Sequence, residues 1–581
     1  MPKKPSLPPS SARPVAPARV SNFSRSTRET IESIAIAFAL AFLFKSFQAE
    51  AFVIPTGSMA PTLMGRHKDV VCPECGYRYS ASGSEEADRE GNPLGEPMTV
   101  VKCTCPVCRF PMNVDPHDPF AVGRDANPSY SGDRIWVSKV PYHLMEPRRW
   151  DVIVFRFPEE AETYYIKRLV GLPNETVKIF HGDIYTKADG EEDFSIQRKP
   201  PEKIQAMAQV VHDNDYVSPE LLQIGWPLRW QATSGDRASG DWKASEDTRT
   251  YQVDGSAENE KWIRYHHLVP SESDWYAIVE DRWSAGKDIR PQLITDFYAF
   301  NTRVLRNRTM EPSALGVHWV GDLILDCELD VQSPSGTALL DLVKGGQDFR
   351  CAIDVATGAA TLTIDGLSDW KRTAETSIRG QGSHRVMFAN VDQQLLLWVD
   401  NKVVTFDAPT SYPDLASDRP KSTASDPGDL APVGVGSRGA ALKVAHLQVL
   451  RDIYYIADSH PMNMITDFRG ISSVVPMMRT EELIEFLSTP TYWENQRGES
   501  VFDDRQELIF PLEQDQFFVL GDNSPASSDA RLWSRQHFVE RDLLVGKALF
   551  IYWPHPVNLY VPFTNVAIPI LPNFSNMGLI R

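Results

Sequence analysis

The stretch Thr163-Tyr-Tyr-Ile-Lys-Arg-Leu-Val170, closed by Gly171-Leu-Pro-Asn, predicts a β-strand that ends in a turn. Shortly before it, Arg149-Trp-Asp-Val-Ile-Val-Phe-Arg-Phe-Pro158 predicts another strand. Side chains two residues apart share a face, so the amine of Lys167 lies between apolar neighbours. From the strand alone, a lysine that extends its ammonium into water is the commoner structure. Burial would instead disfavour the charge and make Lys167 a candidate base near neutral pH.

A candidate nucleophile lies nearer the N-terminus. The stretch Phe52-Val-Ile-Pro-Thr-Gly-Ser-Met-Ala-Pro-Thr-Leu63 places Ser58 between glycine and proline, directly after an apolar segment. A serine hydroxyl is a weak nucleophile until a nearby base takes its proton, and Lys167 is the best candidate for that base. His67 and His143 offer an alternative triad with Asp529, although neither histidine lies in a recognisable motif.

The apolar segment before the serine predicts a membrane anchor. Residues 1–28 are rich in Pro, Ser and Ala and carry basic residues without an acid, which predicts a disordered tail. Residues 29–49 are long enough for a spanning helix when their flanks are included. A cleavable signal peptide and a buried core helix are the alternatives. Basic residues precede the segment, so we expect a single pass of the cytoplasmic (inner) membrane, with the N-terminus cytoplasmic and the rest exported.

Length and charge limit the remaining possibilities. A chain of 581 residues is too long for one core, so several domains are expected. Its 42% hydrophobic and 10% aromatic residues are typical of a folded protein. The formal net charge of −18 argues against a nucleic-acid partner.

Four motifs follow one another along the chain. They are Pro55-Thr-Gly-Ser-Met-Ala-Pro-Thr62, Gly132-Asp-Arg-Ile-Trp-Val137, Tyr165-Ile-Lys-Arg-Leu-Val-Gly-Leu-Pro173 and Gly521-Asp-Asn-Ser-Pro-Ala-Ser-Ser-Asp-Ala-Arg531. Together they resemble type I signal peptidase, the membrane-anchored Ser/Lys endopeptidase that removes leader sequences from exported proteins. The resemblance covers about residues 30–71, 131–185 and 505–560, which is well under half of the chain.

The resemblance implies a catalytic dyad. Ser58 would be the nucleophile and Lys167 the general base, with no cofactor needed for catalysis. The Thr56 hydroxyl and the Ser58 backbone N–H would form the oxyanion hole, which stabilises charge that develops only in the transition state. The substrates would be the signal peptides of preproteins, bound as an extended segment with small residues in shallow pockets.

The last motif supplies the implied supporting residues. Ser527 matches the serine that hydrogen-bonds the lysine, whereas Asp529 and Arg531 match a buried pair that holds the loop. The chain departs from the family pattern at Ser524-Pro-Ala and at Ala530. Two rival functions are an inactive protease-like scaffold that binds peptides or glycans, and a self-cleaving regulator, which would need a DNA-binding helix-turn-helix.

A cysteine-rich segment follows the serine motif. Cys72-Pro-Glu-Cys75 and Cys105-Pro-Val-Cys108 are two C-x-x-C knuckles, typical of a zinc ribbon whose four thiolates hold a structural zinc ion. Cys103 is a substitute ligand or a spare. Disulfides are the competing interpretation, because the segment is expected on the oxidising side of the membrane.

A second insertion accounts for most of the remaining length. Residues 186–302 are polar and rich in tryptophan, which indicates strands packed around tryptophans more often than a sugar site. Residues 303–462 contain short alternating runs that resemble concanavalin-like and laminin-G-like sandwiches, with no ligand identified. Cys327 and Cys351 fall on neighbouring runs and form either a disulfide or two buried thiols. The tetrapeptide Ile-Thr-Asp-Phe occurs at 294–297 and again at 465–468.

The predicted fold class is therefore mainly β. A signal-peptidase-like β-rich catalytic core lies behind one N-terminal transmembrane helix, and a Cys-knuckle module and a large antiparallel β-sandwich interrupt it. The predicted boundaries are 1–28 for the tail, 29–49 for the transmembrane helix, 50–71, 131–185 and 463–581 for the core, 72–110 for the Cys-rich module, 186–302 for the Trp-rich insertion and 303–462 for the sandwich.

Overall fold

The computed structural model describes residues 27, 29–38, 49–88, 92–118, 129–234, 242–284, 286–308, 316–413, 415, 419–460, 465–494, 499–554, 557–560, 567–571 and 573–581. Strands dominate these residues and helices are few and short, so the predicted mainly β class is confirmed. The α-helices that follow the first strand are α1 Pro141–Leu144, α2 Pro201–Met207, α3 Pro219–Gln223, α4 Glu272–Val279 and α5 Thr480–Ser488.

The strands are numbered in chain order. The N-terminal part contains β1 Ala49–Val53, β2 His67–Val71, β3 Arg78–Ser82, β4 Val100–Thr104, β5 Pro111–Asn113, β6 Ser129–Tyr130, β7 Arg134–Ser138, β8 Val152–Phe157, β9 Glu160–Gly171, β10 Glu175–Phe180, β11 Asp183–Ala188 and β12 Ser195–Ile196. The middle contains β13 Gln209–Asp213, β14 Trp230–Ser234, β15 Lys243–Ala244, β16 Tyr251–Val253, β17 Lys261–Tyr265, β18 Val304–Leu305, β19 Leu323–Val331, β20 Thr337–Lys344, β21 Gln347–Asp354, β22 Ala359–Ile364, β23 Lys371–Glu375, β24 Gly382–Val391, β25 Gln394–Val399, β26 Lys402–Val403, β27 Val433–Arg438 and β28 Leu442–Arg451. The C-terminal part contains β29 Leu508–Pro511, β30 Gln516–Leu520, β31 Val539–Glu540, β32 Leu544–Trp553, β33 Val557–Tyr560, β34 Ala567–Leu571 and β35 Gly578–Leu579.

The segment predicted to cross the membrane, 29–49, lies partly outside the described residues. Its described part, 29–38, is helical with exposed side chains, and position 49 already belongs to β1. Within the ranges given above, no helix has the length and apolar character needed to span a bilayer.

One antiparallel sheet joins three distant parts of the chain. Its strand order is β1-β7-β32-β8-β9-β30-β31, with β35 paired to β32. The two strands predicted around Lys167 are β8 and β9, which pair with Ile153 opposite Lys167. Apolar side chains from β8, β9 and β30 share one core, which also receives side chains from a smaller sheet ordered β12-β11-β10-β29. The sheet thus brings the second and third parts of the predicted core into contact.

Two further antiparallel sheets share a single apolar core. One is ordered β15-β16-β28-β19-β24-β25-β26 with β13 on β28, and the other β14-β17-β27-β20-β21-β22-β23. Strands β13 to β17 come from the Trp-rich stretch and extend both sheets, so Trp230 lies in this core rather than in an open site. Cys327 and Cys351 are separate buried thiols on opposite sheets. Burial raises the pKa of Cys351 to about 12.

The repeated Ile-Thr-Asp-Phe tetrapeptide has a physical role in this fold, because both copies contact His318. The first copy places Asp296 Oδ2 2.8 Å from His318 Nδ1. The second places Asp467 Oδ1 3.4 Å and Thr466 Oγ1 3.3 Å from His318 Nε2. The imidazole is stacked between Tyr454 and Phe468, with centroid distances of 5.1 and 5.4 Å. His318 therefore links residues 294–297, which lie between β17 and β18, to residues 465–468, which follow β28.

Charge strengthens this contact. Burial opposes the imidazolium and Arg505 adds to that opposition, but the carboxylates of Asp296 and Asp467 outweigh both and raise the pKa of His318. A pKa raised on folding stabilises the native state fully below the ordinary histidine value of about 6.5. That stabilisation is lost as the pH rises through the raised value.

We expect His318→Gln to destabilise the protein by roughly 3 kcal/mol near pH 6, because it leaves two buried carboxylates without their cation. The difference from the wild type should shrink as the pH rises. Thermal melts across the pH range measure this. His446→Gln removes a histidine that also pairs with an aspartate but is 61% exposed, and should change stability by less than about 1 kcal/mol. An equal effect of both substitutions would contradict the role of burial.

Candidate active site

Three chain segments meet at Ser58. Strand β1 leads through Ile54-Pro-Thr into a single 3-10 turn, Gly57–Met59, that carries Ser58. Strand β9 carries Lys167 in the middle of the sheet. Strand β30 ends at Leu520 and opens into the loop 521–531, whose Asn523 backbone N–H donates to Ser58 O over 3.0 Å. The sheet thus carries Lys167, and two loops enclose the hydroxyl of Ser58.

The serine and the lysine are in hydrogen-bond contact. Lys167 Nζ lies 2.9 Å from Ser58 Oγ and donates to it, and it also donates to Ile166 O over 3.1 Å. Ser58 is 7% exposed and Lys167 is 4% exposed. The amine also lies 5.2 Å from the centroid of the Tyr165 ring. The hydroxyl of Ser58 and the amine of Lys167 are therefore buried together.

Burial sets the protonation of this amine. It lowers the pKa of Lys167 from 10.5 to about 8, although the negative charges of Asp529 and Asp522 act in the opposite direction. About a tenth of the molecules then carries an uncharged amine at pH 7, far more than for a lysine with a pKa of 10.5. Its lone pair can accept the Ser58 proton over the same 2.9 Å.

The predicted oxyanion donors lie beside the serine. Ser58 is in the first turn of its short helix, and N–H groups in a first turn have no partner within that helix. The Thr56 side chain precedes the turn, is exposed, and makes no capping hydrogen bond to it. The Gly57 N–H is already bound by Ser84 Oγ at 3.2 Å. The Thr56 hydroxyl and the Ser58 backbone N–H therefore make no hydrogen bond within this 3-10 turn.

Ser527 differs from the expectation. Its Oγ is buried and makes no hydrogen bond with any described residue, so the expected bond to Lys167 is not formed. The reason is the packing of its side chain against Gly521, where an added Cβ would approach Ser527 Oγ to 2.1 Å and Ser58 O to 2.5 Å. Only glycine at position 521 lets these two serines approach each other.

Asp529 and Arg531 form the buried pair that the resemblance implies. Arg531 Nε and NH2 donate to the two carboxylate oxygens over 2.8 and 2.9 Å, and both residues are fully buried. The guanidinium also donates to Ile456 O and to Ser524 O, while Asp529 accepts the Gly521 N–H. These bonds hold the 521–531 loop in place.

A second buried pair was not predicted. Arg168, the neighbour of Lys167 on the opposite face of β9, donates from Nε and NH2 to Asp522 over 2.7 and 2.6 Å. Its NH2 also donates to Thr62 Oγ1 over 3.0 Å, and Thr62 donates to Asp522. One guanidinium therefore links the base strand, the serine segment and the 521–531 loop. The only sequence signal was a charged residue at an inward position of an apolar strand.

The insertion also reaches the serine, which sequence reasoning missed. Asn301 and Asn523 exchange two amide hydrogen bonds of 2.7 and 2.8 Å, and Asn523 Nδ2 donates to Gly57 O over 3.0 Å. The Phe300 ring lies against Gly57, where an added Cβ would come within 2.2 Å of it. Residues 299–301 thus buttress the turn that holds the nucleophile. No local pattern could have indicated this contact.

Among the side chains that the structure describes, the alternative triad is not assembled. His67 is buried with Nδ1 2.6 Å from Gly65 O and Nε2 3.5 Å from Asp69. The His143 side chain lies outside the described residues, and Asp529 is committed to Arg531. The group in contact with Ser58 Oγ is the amine of Lys167.

Comparison with known proteins agrees with this arrangement. Residues 117–218 and 480–553, less than a third of the chain, match the family described as signal peptidase, peptidase S26. Signal peptidase I of Leptolyngbya laminosa is 39% identical over 87 residues, which are 13% of this chain and 42% of that protein. Signal peptidase I of Rickettsia bellii is 26% identical over 166 residues, which are 28% of this chain and 41% of that protein. The resemblance to type I signal peptidase is confirmed.

The signal peptidase match covers part of the site. Lys167 and Ser527 lie inside the matched residues, whereas Ser58 precedes them. The chain spans less than half the length of the two signal peptidases. Among solved structures, the carbohydrate-binding module CBM66 from Bacillus subtilis covers 39% of this chain and 93% of that chain at 8% identity. Its TM-score of 0.18 is too low to support an argument.

We expect Asn301→Ala to loosen the nucleophile turn, because it removes both bonds to Asn523 and leaves that buried amide without its partner. Hydrogen–deuterium exchange of residues 57–63 and 521–526 should become at least about fivefold faster, which corresponds to roughly 1 kcal/mol. Asn259→Ala, at an exposed position of the same insertion, is the matched control and should leave this exchange unchanged. Unaltered exchange in Asn301→Ala would rule out the buttress.

Proposed function

We propose that this protein is a membrane-anchored serine endopeptidase that removes signal peptides from exported preproteins. The observation that carries the proposal is the 2.9 Å contact between the Lys167 amine and the Ser58 hydroxyl in a dry site. The matched signal peptidase segments support it independently, because they contain the lysine strand and the loop that encloses the serine.

The proposed reaction proceeds through an acyl-enzyme. Uncharged Lys167 accepts the hydroxyl proton as Ser58 Oγ attacks the carbonyl carbon of the scissile bond. The carbonyl oxygen becomes an oxyanion, which the Thr56 hydroxyl and the Ser58 N–H stabilise. The C–N bond then breaks, and the Lys167 ammonium returns its proton to the leaving amine. That amine is the N-terminus of the mature protein, while the signal peptide stays on Oγ as an ester.

Hydrolysis of the ester completes the cycle. Lys167 accepts a proton from water, the resulting hydroxide attacks the ester carbonyl, and Oγ leaves and regains the proton from the ammonium. The Ser527 hydroxyl is buried beside Ser58 and makes no hydrogen bond within the described part of the chain, so it is available to orient the amine or the water. This would supply the role that the family resemblance implies for it.

The membrane anchor is part of the proposal. The predicted helix of residues 29–49 would leave the short strand β1 and then Ser58 close to the outer surface of the bilayer. Adjacent strands next to this turn expose apolar side chains, namely Val53 on β1, Trp136 on β7, and Leu549 and Leu579 on β32 and β35. A surface of this kind beside the nucleophile favours contact with lipid, where signal peptides reside. The two sheets with a shared core, described above, are proposed to be a β-sandwich insertion on the exported side.

Loss of either dyad member should abolish cleavage. We expect Ser58→Ala and Lys167→Met each to lower kcat for a preprotein by about 10⁴ or more, because neither remaining group can act alone. Cleavage of a purified preprotein by the detergent-solubilised full chain measures this. Ser425 and Lys402 lie at exposed positions of the insertion, so the control variants Ser425→Ala and Lys402→Met should retain wild-type activity. Cleavage that survives both dyad substitutions would overturn the assignment.

The pH dependence follows from the lowered pKa of the base. Only the uncharged amine of Lys167 accepts a proton, so kcat/KM should rise with pH and level off above a midpoint of about 8. Initial rates between about pH 6 and about pH 10 test this. A midpoint near the ordinary histidine value of about 6.5 would point to an imidazole base instead.

A further inference from the structure

Four of the five cysteines in the knuckle module converge on one point. The Sγ atoms of Cys72, Cys75, Cys105 and Cys108 all lie within 4.8 Å of one another. Across the two knuckles, Cys72 Sγ is 3.4 Å from Cys108 Sγ, and Cys75 Sγ is 3.6 Å from Cys105 Sγ. All four are thiols, and all are buried. The sequence spacing left the pairing of these residues open, and the fold brings the two C-x-x-C pairs together.

The two knuckles have the same backbone structure. In the first, the Gly76 N–H donates to Cys72 O and the Cys72 N–H donates to Tyr77 O, each over 2.9 Å. In the second, the Arg109 N–H donates to Cys105 O over 3.1 Å and the Cys105 N–H donates to Phe110 O over 3.0 Å. Both turns close through a residue with positive φ, +77° at Gly76 and +64° at Arg109. Each turn therefore presents its two sulfur atoms to the other turn.

The sulfur distances distinguish a metal site from disulfides. Four sulfur ligands about 2.3 Å from a zinc ion lie about 3.8 Å apart at the corners of a tetrahedron, whereas bonded sulfurs are about 2.0 Å apart. The observed 3.4 and 3.6 Å are close to the tetrahedral edge. We propose that Cys72, Cys75, Cys105 and Cys108 bind one zinc ion as thiolates. Each thiol gives its proton to solvent on binding, so four Zn–S bonds form without any change in oxidation state.

Cys103 is excluded from the site. It is buried one residue before the strand end at Thr104, and its Sγ lies 3.3 Å from the Tyr79 hydroxyl rather than in the four-sulfur group. It therefore provides a matched control in the same module. Substitution of Cys103 removes a thiol but none of the ligands.

The zinc site would hold together a junction between the insertion and the nucleophile turn. The second knuckle accepts bonds from the insertion, since Trp275 Nε1 donates to Cys108 O over 2.9 Å and Arg229 NH2 donates to Val107 O over 2.6 Å. Directly before it, the Thr104 N–H donates to Thr302 Oγ1 over 2.9 Å, and β4 pairs with β18. Thr302 follows the buttress residues Phe300 and Asn301. The apolar core of the module is shared with the insertion through Trp226 and Trp275, and a zinc ion would cross-link the two knuckles within that core.

Metal analysis of the purified full-length protein tests the proposal. We expect about one zinc ion per chain, lost in Cys72→Ser and in Cys105→Ser but retained in Cys103→Ser. Replacement of zinc by cobalt(II) should give the intense visible absorption of a tetrahedral cobalt thiolate. Residues 92–118 should become sensitive to limited proteolysis when a chelator removes the metal. These readouts do not depend on peptidase activity, so their failure would leave the proposed function standing.

If a variant fails to fold, the reactivity of the cysteine thiols in the wild type tests the zinc site. Mass spectrometry after alkylation should show the four ligand cysteines protected until a chelator is added, without any reductant. Protection that yields to reductant alone, in protein that contains no metal, would identify two disulfides and overturn the zinc site. Immediate alkylation of all four in metal-free native protein would overturn it as well.

Discussion

The contact between Lys167 and Ser58 depends on the exclusion of water from one amine. An ammonium group in water would keep its proton and could not activate a hydroxyl at neutral pH. In this fold the amine belongs to a strand in the middle of a sheet, and Lys167 is only 4% exposed. The same burial that lowers the pKa of Lys167 also brings its Nζ to 2.9 Å from Ser58 Oγ. Burial thus accounts both for the short distance between the two groups and for the lowered pKa of Lys167.

Two carboxylates beside the lysine would be expected to defeat this arrangement. Asp522 and Asp529 both favour the ammonium, yet the pKa of Lys167 still falls to about 8. Each carboxylate is held by a guanidinium, Asp522 by Arg168 and Asp529 by Arg531, with all four side chains fully buried. Burial has the larger effect on the amine, so the pKa of Lys167 falls despite the two carboxylates. The two pairs also fix the loop around the serine, which explains why buried charge is retained so close to a base that must stay uncharged.

The insertion contributes to the active site as well as adding length. Its residues 299–301 pack behind the nucleophile turn, and Asn301 completes an amide pair with Asn523. His318 contacts both copies of a repeated tetrapeptide, one between β17 and β18 and one after β28. The insertion and the peptidase segments are therefore joined by contacts both at the serine turn and at His318.

Local patterns in the sequence were sufficient for the mainly β class and for the strands around Lys167, because alternation along a strand is a property of neighbouring residues. Four short motifs and the family that they resemble made Ser58 and Lys167 candidates for the dyad. The same resemblance implied the Asp529 and Arg531 pair. The bond from Arg168 to Asp522, the bonds between Asn301 and Asn523, and the contact of His318 with Asp467 join residues separated by more than 140 positions, so no local pattern encodes them. Ser527 shows the same limit, because the direction of its hydroxyl depends on the packing of Gly521 against two other segments. The sequence by itself determined which groups are candidates for the reaction. Only the tertiary structure decided which of them are buried, hydrogen-bonded and within reach of one another, because burial and long-range contacts depend on the whole fold.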